Sequence, residues 1–170
     1  MDAIITDDMT HSLTGAQLKR ICGVDPMVYQ EFNPTIRPGM LSNKFVTMIL
    51  LPVKTNPSDG HWIMFYYQGG TMYHFDSYGF DANVEQNYTD TPNITQFAHN
   101  CAISNITLKS STFQYQVMSP DVNTCGRHVS VRYLYRVLDD KEYSQLMLRQ
   151  RDNPDFIVTC MTKLFCDGTH

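Results

Sequence analysis

Two adjacent glycines, Gly69 and Gly70, stand between two stretches rich in aromatic and β-favouring residues, Trp62–Tyr67 and Thr71–Asp76. Such a pair supplies the backbone angles of a tight hairpin turn, so the spacing predicts two antiparallel strands. The register can be counted outward from the turn. Gln68 then pairs with Thr71, Phe65 with His74 and Ile63 with Asp76. Side chains alternate along a strand, so His61 shares a face with Ile63. His61 and Asp76 become diagonal neighbours on that face, with Cα atoms about 7–8 Å apart, a gap that an imidazole and a carboxylate can close. His61 also falls at the predicted end of its strand, where a cleft is expected. His74 shares the face but lies nearer the turn and reads as a packed or surface histidine. Asp76, ahead of Ser77-Tyr78-Gly79, could equally cap a turn.

The flanking segments fill in an α+β plan. Thr14-Gly-Ala-Gln-Leu-Lys-Arg-Ile-Cys22 reads as a short helix capped by Thr14 or Ser12. Pro26, Pro34, Pro38 and Gly39 mark a loop. Phe45–Leu51 is a continuous apolar run that predicts a buried strand stopped by Pro52. Residues 80–104 are polar and irregular and are expected to form a surface excursion. Phe113, Tyr115 and Val117 alternate with Gln114 and Gln116, the period of a strand. Three helices are expected after that. Val131, Leu134, Tyr135 and Leu138 form the apolar stripe of the first, with Arg132 and Arg136 on another face. Tyr143, Leu146 and Met147 mark the second. Asn153-Pro154 opens the third, which carries Ile157, Cys160, Met161 and Leu164 and ends before Gly168. The 170 residues are expected to form one domain, 1–170.

Cys125 lies in Asn123-Thr124-Cys125-Gly126-Arg127-His128, where a loop becomes a helix with Asn123 or Thr124 as cap. A thiol there meets unpaired backbone N–H groups and the positive end of the helix dipole, which favour thiolate. Gly126 removes a side chain beside the sulfur and would let a substrate backbone come close. The competing reading is a small buried apolar residue. A thiolate nucleophile needs an imidazole in reach and a group to orient it, and His61 with Asp76 meets that need. His128, three residues on, falls near the apolar stripe and reads as a hydrogen-bonded core histidine. Acyl transfer also needs oxyanion donors. The Cys125 N–H is one; a glutamine amide, Gln114 or Gln116, could be the second. Parity does not separate them, and Gln116 is preferred as the nearer to Cys125.

Gly60-His61-Trp62, Phe75-Asp76-Ser77-Tyr78-Gly79, Gln116 and Thr124-Cys125-Gly126 together resemble the adenovirus-type and SUMO-protease superfamily of cysteine peptidases. The order His, Asp, Gln, Cys and the aromatic residue after the histidine carry the likeness. Asn-Thr-Cys-Gly-Arg-His and the chain length look most like the maturation proteases of small double-stranded DNA viruses, especially mavirus-like virophages. The resemblance implies a papain-like or adenain-like fold, with a mixed, mainly antiparallel sheet flanked by helices. It implies His61, Asp76, Gln116 and Cys125 as catalytic residues, and Trp62 as one wall of a narrow tunnel admitting glycine-like residues. It further implies viral capsid or other virion precursors as substrates, no cofactor or metal, and a place in the virion and the infected cell's cytoplasm. Eight residues separate Gln116 from Cys125, more than the pattern usually has. Relatives of the adenovirus type use DNA and an activating peptide; a net charge of −4 gives no sign of DNA binding here.

Two alternatives remain. One is a deubiquitinating or deSUMOylating isopeptidase with the same residues. The other is a zinc-stabilised interaction module using Cys160, Cys166 and His170 with Cys125 or His128, disfavoured by irregular spacing. The five cysteines are odd in number and scattered, which argues for a reducing compartment over a disulfide framework. The acidic N-terminus lacks the plan of a signal peptide, so the three Asn-X-Thr sequons at Asn87, Asn93 and Asn105 read as chance. No apolar run is long enough to span a bilayer, so no membrane partner is expected.

Overall fold

The hairpin counted from the two glycines forms in the predicted register: Gln68 pairs with Thr71, Phe65 with His74 and Ile63 with Asp76. Gly69 and Gly70 both have positive φ, 56° and 85°, which glycine adopts without steric cost. The computed structural model describes residues 7–53, 56–87, 89–148 and 153–166. The five-stranded mixed sheet runs β1-β2-β3-β4-β5, with β1 Met27–Val28, β2 Val46–Val53, β3 Asn56–Gln68, β4 Thr71–Asp76 and β5 Thr107–Ser110. β2, β3 and β4 are antiparallel neighbours; β1 and β5 add to the two edges in parallel.

The continuous apolar runs of β2 and β3 arise because both faces of the sheet are covered. Met48, Trp62, Met64, Tyr66 and Phe75 point to one side. They pack against α1 (Gly15–Cys22), α3 (Cys125–Leu134), α4 (Asp140–Leu148) and α5 (Pro154–Cys166). Ile49, Leu51, Ile63, Phe65 and Met72 point to the other, against α2 (Asn93–Ile103) and the Tyr29 and Phe32 side chains. The chain is therefore α+β, a mixed sheet flanked by helices. No helix among the described residues is long and apolar enough to cross a membrane.

Thr14 caps α1 in a reciprocal capping box with Gln17. Five expectations need correction. First, residues 80–104 are not an irregular excursion: α2 lies within them and buries Ile94, Phe97 and Cys101, an i, i+3, i+7 stripe. Second, the strand expected at 113–117 is absent, and the strand lies at Thr107–Ser110. Phe113 and Val117 are exposed while the neighbours Tyr115 and Gln116 are both buried, so burial does not alternate as it would along a strand. Third, Pro52 does not stop β2; it pairs with Gly60, and the register shifts only after it. Fourth, the helix expected to run through Leu138 ends at Leu134. Fifth, the face that carries Arg132, away from the apolar stripe, is not a solvent face at that residue. Arg132 is fully buried, donating to the Tyr66 hydroxyl, to the Tyr135 and Leu138 carbonyls and to Asp140.

Candidate active site

β3 outruns β4 at the end of the hairpin. The β3–β4 ladder stops at Ile63 and Asp76, so His61 stands past the end of β4, paired only with Leu51 of β2. This corrects the expectation that His61 ends its own strand: it is the neighbour β4 that ends beside it. His61 Nε2 is 2.8 Å from Asp76 Oδ1, and both side chains are almost wholly buried. The same Asp76 oxygen accepts the Tyr78 N–H at 2.8 Å. Cys125, the first residue of α3, is buried and close enough to the imidazole to interact with it.

The electrostatics follow from this burial. Desolvation is the largest influence on His61 and favours the neutral ring; the Asp76 charge and hydrogen bond, with Cys125, outweigh it and raise the pKa to about 10. Burial pushes the Asp76 carboxyl up, but His61, His74 and the Tyr78 N–H together hold it below the ordinary value. The rival histidines differ. Burial drives His74 down to about 4, and its Nδ1 lies 3.3 Å from Ser110 Oγ. His128 is fully buried and its pKa is lowered, mainly by burial; its Nε2–H donates to Asp155 at 2.9 Å. It is the hydrogen-bonded core histidine expected from the sequence.

Thr124 is the N-cap of α3, but its side chain makes no capping bond; its hydroxyl donates instead to Asp155. Gln116, and not Gln114, is the buried glutamine. Its Oε1 accepts from Ser77 Oγ at 2.7 Å, and its amide donates to the Val122 carbonyl at 3.0 Å and the Tyr78 hydroxyl at 3.2 Å. The Tyr78 ring stacks on His61 with centroids 4.6 Å apart. Tyr78 thus touches His61, Asp76 and Gln116. Sequence reasoning passed over it, although its place two residues after Asp76 was the available signal.

Trp62 is buried and donates from Nε1 to the Leu13 carbonyl at 3.0 Å. It walls a cavity of about 270 Å³ together with Ser12, Leu13, Thr14, Gly15, Leu50 and Gly60. A larger cavity of about 580 Å³, between Phe113 and Leu148, contains none of these site residues. The expectation for Gly126 is corrected in its reason. A Cβ there would meet Leu13 Cβ at 3.0 Å and Trp62 Cδ1 at 3.1 Å, so the missing side chain makes room for packing rather than for open space. Among the described residues no group of three or more His, Cys, Asp or Glu could hold a metal. His170 and the Cys166 side chain, invoked for a zinc module, lie outside what is described.

Neither protein-family models nor curated proteins give a match to this sequence. Among solved structures, the crystal structure of ASFV pS273R protease matches 94% of this chain and 69% of its own, with TM-score 0.52 and 14% identity. At that identity the likeness is one of fold: this chain has the architecture of a known protease.

Proposed function

We propose that this chain is a papain-like cysteine endopeptidase of the adenovirus and SUMO-protease type. One observation carries the reading: buried His61 is bonded to the Asp76 carboxylate at 2.8 Å and also interacts with Cys125 at the start of α3. That is the relation of nucleophile, base and orienting group required for thiol acyl transfer. His61 takes the Cys125 proton, and the sulfur attacks the scissile carbonyl. The oxyanion is met by the Cys125 N–H and by the Gln116 amide, which turns to it from Tyr78, the longer of its two bonds. Collapse expels the amine, protonated by His61, and leaves a thioester. Water deprotonated by His61 then releases the acid.

The proposed substrates are viral capsid or virion precursors, cut after glycine-type residues, in the virion and the infected cell's cytoplasm. Trp62, buried and next in the chain to His61, is the wall proposed for this small-residue preference. The test is labelling with an electrophilic Gly-Gly peptide probe, followed by mapping of the modified cysteine. The label is expected on Cys125, and Cys125→Ala should lose cleavage while keeping its fold. Cleavage retained in Cys125→Ala would sink the reading. Capsid precursors run beside ubiquitin-like tails separate a maturation protease from an isopeptidase.

A further inference from the structure

Gln116 and Cys125 must address one carbonyl from opposite ends of the connection 117–124, which has no helix or strand of its own. A connection of that kind costs conformational entropy to hold in one shape. Part of the hold is local. Gln116 reaches the Val122 carbonyl, and Asn123 is tied to the carbonyls of Met9 and Thr10. The two ends, however, meet in a single carboxylate.

Asp155 lies in the first turn of α5 and is fully buried. Its Oδ2 accepts the Val117 N–H at 2.9 Å, next in the chain to Gln116. Its Oδ1 accepts the hydroxyl of Thr124, next to Cys125, and His128 Nε2–H at 2.9 Å, one turn into α3. Its own N–H is held by Asn153 Oδ1 at 3.0 Å, and its carbonyl accepts the Thr159 hydroxyl at 2.7 Å, so the carboxylate is presented from a fixed helix start. We propose that Asp155 is a positioning residue that fastens both ends of 117–124 to α5 and thereby sets the Gln116 amide against the Cys125 end of α3. This rests on the reading of Cys125 as nucleophile and Gln116 as oxyanion donor. It also explains how the long Gln-to-Cys spacing is tolerated: the extra residues bulge out between two pinned ends.

The chemistry of the carboxylate gives a selective test. It accepts on both oxygens, whereas an asparagine accepts on one only. In Asp155→Asn the amide oxygen can still take Thr124 and His128, while its NH2 faces the Val117 N–H donor to donor. The Gln116 end is released and the Cys125 end kept. Thr124→Val releases the opposite end without adding bulk. The full chain is assayed for kcat and KM on a Gly-Gly peptide, for iodoacetamide alkylation of Cys125, for melting temperature and for exchange of the Val117 amide. Asp155→Asn is expected to speed Val117 exchange about tenfold or more and to lower kcat about tenfold or more. KM and the alkylation rate should stay within about twofold, because neither needs the oxyanion donor. Thr124→Val should lower kcat with little change in Val117 exchange. A purely structural role would lower the melting temperature and leave kcat per folded molecule unchanged, and that result in both variants overturns the proposal, as does unchanged Val117 exchange in Asp155→Asn. Should Asp155→Asn not fold, Thr124→Val decides alone. Cleavage surviving in Cys125→Ala would defeat the functional reading itself, whereas a dead Cys125→Ala with unaffected Asp155→Asn and Thr124→Val defeats only this proposal.

Discussion

Replacing Asp76 by asparagine should change the proton on His61 more than it changes the shape of the site. The substituted amide would keep an oxygen able to accept the imidazole and Tyr78 N–H bonds, now 2.8 Å each, but would carry no charge. His61 titrates near 10 in place of the ordinary 6.5 because the Asp76 charge and hydrogen bond, with Cys125, overcome a burial that acts the other way. Without the charge, the largest influence opposing burial is gone, and the midpoint should fall below its native value. The ratio of imidazolium to imidazole at fixed pH then drops about tenfold for each unit by which the midpoint falls. The sign for stability follows. A raised histidine contributes fully below its unfolded value and loses that contribution as pH rises through about 10. The depressed Asp76 contributes above the ordinary carboxylate range and loses it as pH falls. Asp76→Asn should therefore remove stability across the neutral range and slow Cys125 alkylation there. NMR titration of the imidazole resonances, with His61→Gln for assignment, reads the midpoint directly. A His61 midpoint still near 10 in Asp76→Asn would refute the argument.

Gln116→Ala should cut kcat about 100-fold with little change in KM, the usual scale for one oxyanion donor, and leave Cys125 alkylation intact; normal cleavage would transfer the donor role elsewhere. Gly126→Ala should destabilise by about 1 kcal/mol in denaturant unfolding, the overpacking cost less the helix gain of alanine, because the new methyl meets Leu13 and Trp62. A more stable variant would contradict that packing. Arg132→Ala should cost about 3 kcal/mol or more by the same measurement, since it strands the buried Tyr66 hydroxyl and removes the partner of Asp140. Its kcat per folded molecule should hold.

What the sequence determined by itself was the part of the molecule governed by local rules. Two glycines set a turn, the turn set a register, and the register put His61 diagonal to Asp76 before any tertiary contact entered. The capping box at Thr14 and the Asn153-Pro154 helix start are equally local. Tertiary structure decided whatever depends on which surface meets which. Periodicity put Arg132 on a face apart from the apolar stripe, yet Tyr66, Tyr143 and Asp140 enclose it with cation–π contacts and hydrogen bonds. Periodicity also made 113–117 a strand. The segment instead leaves the sheet after β5, its Tyr115 and Gln116 N–H groups both donating to the Ser77 carbonyl, and this turns Gln116 inward and Gln114 out. A polar composition concealed α2, whose three buried side chains suffice once β3 and β4 offer them a surface. The clamp at Asp155 joins residues 31 and 38 positions away in the chain. No local pattern encodes such a meeting, because a buried carboxylate is tolerated only where distant donors converge to replace its water.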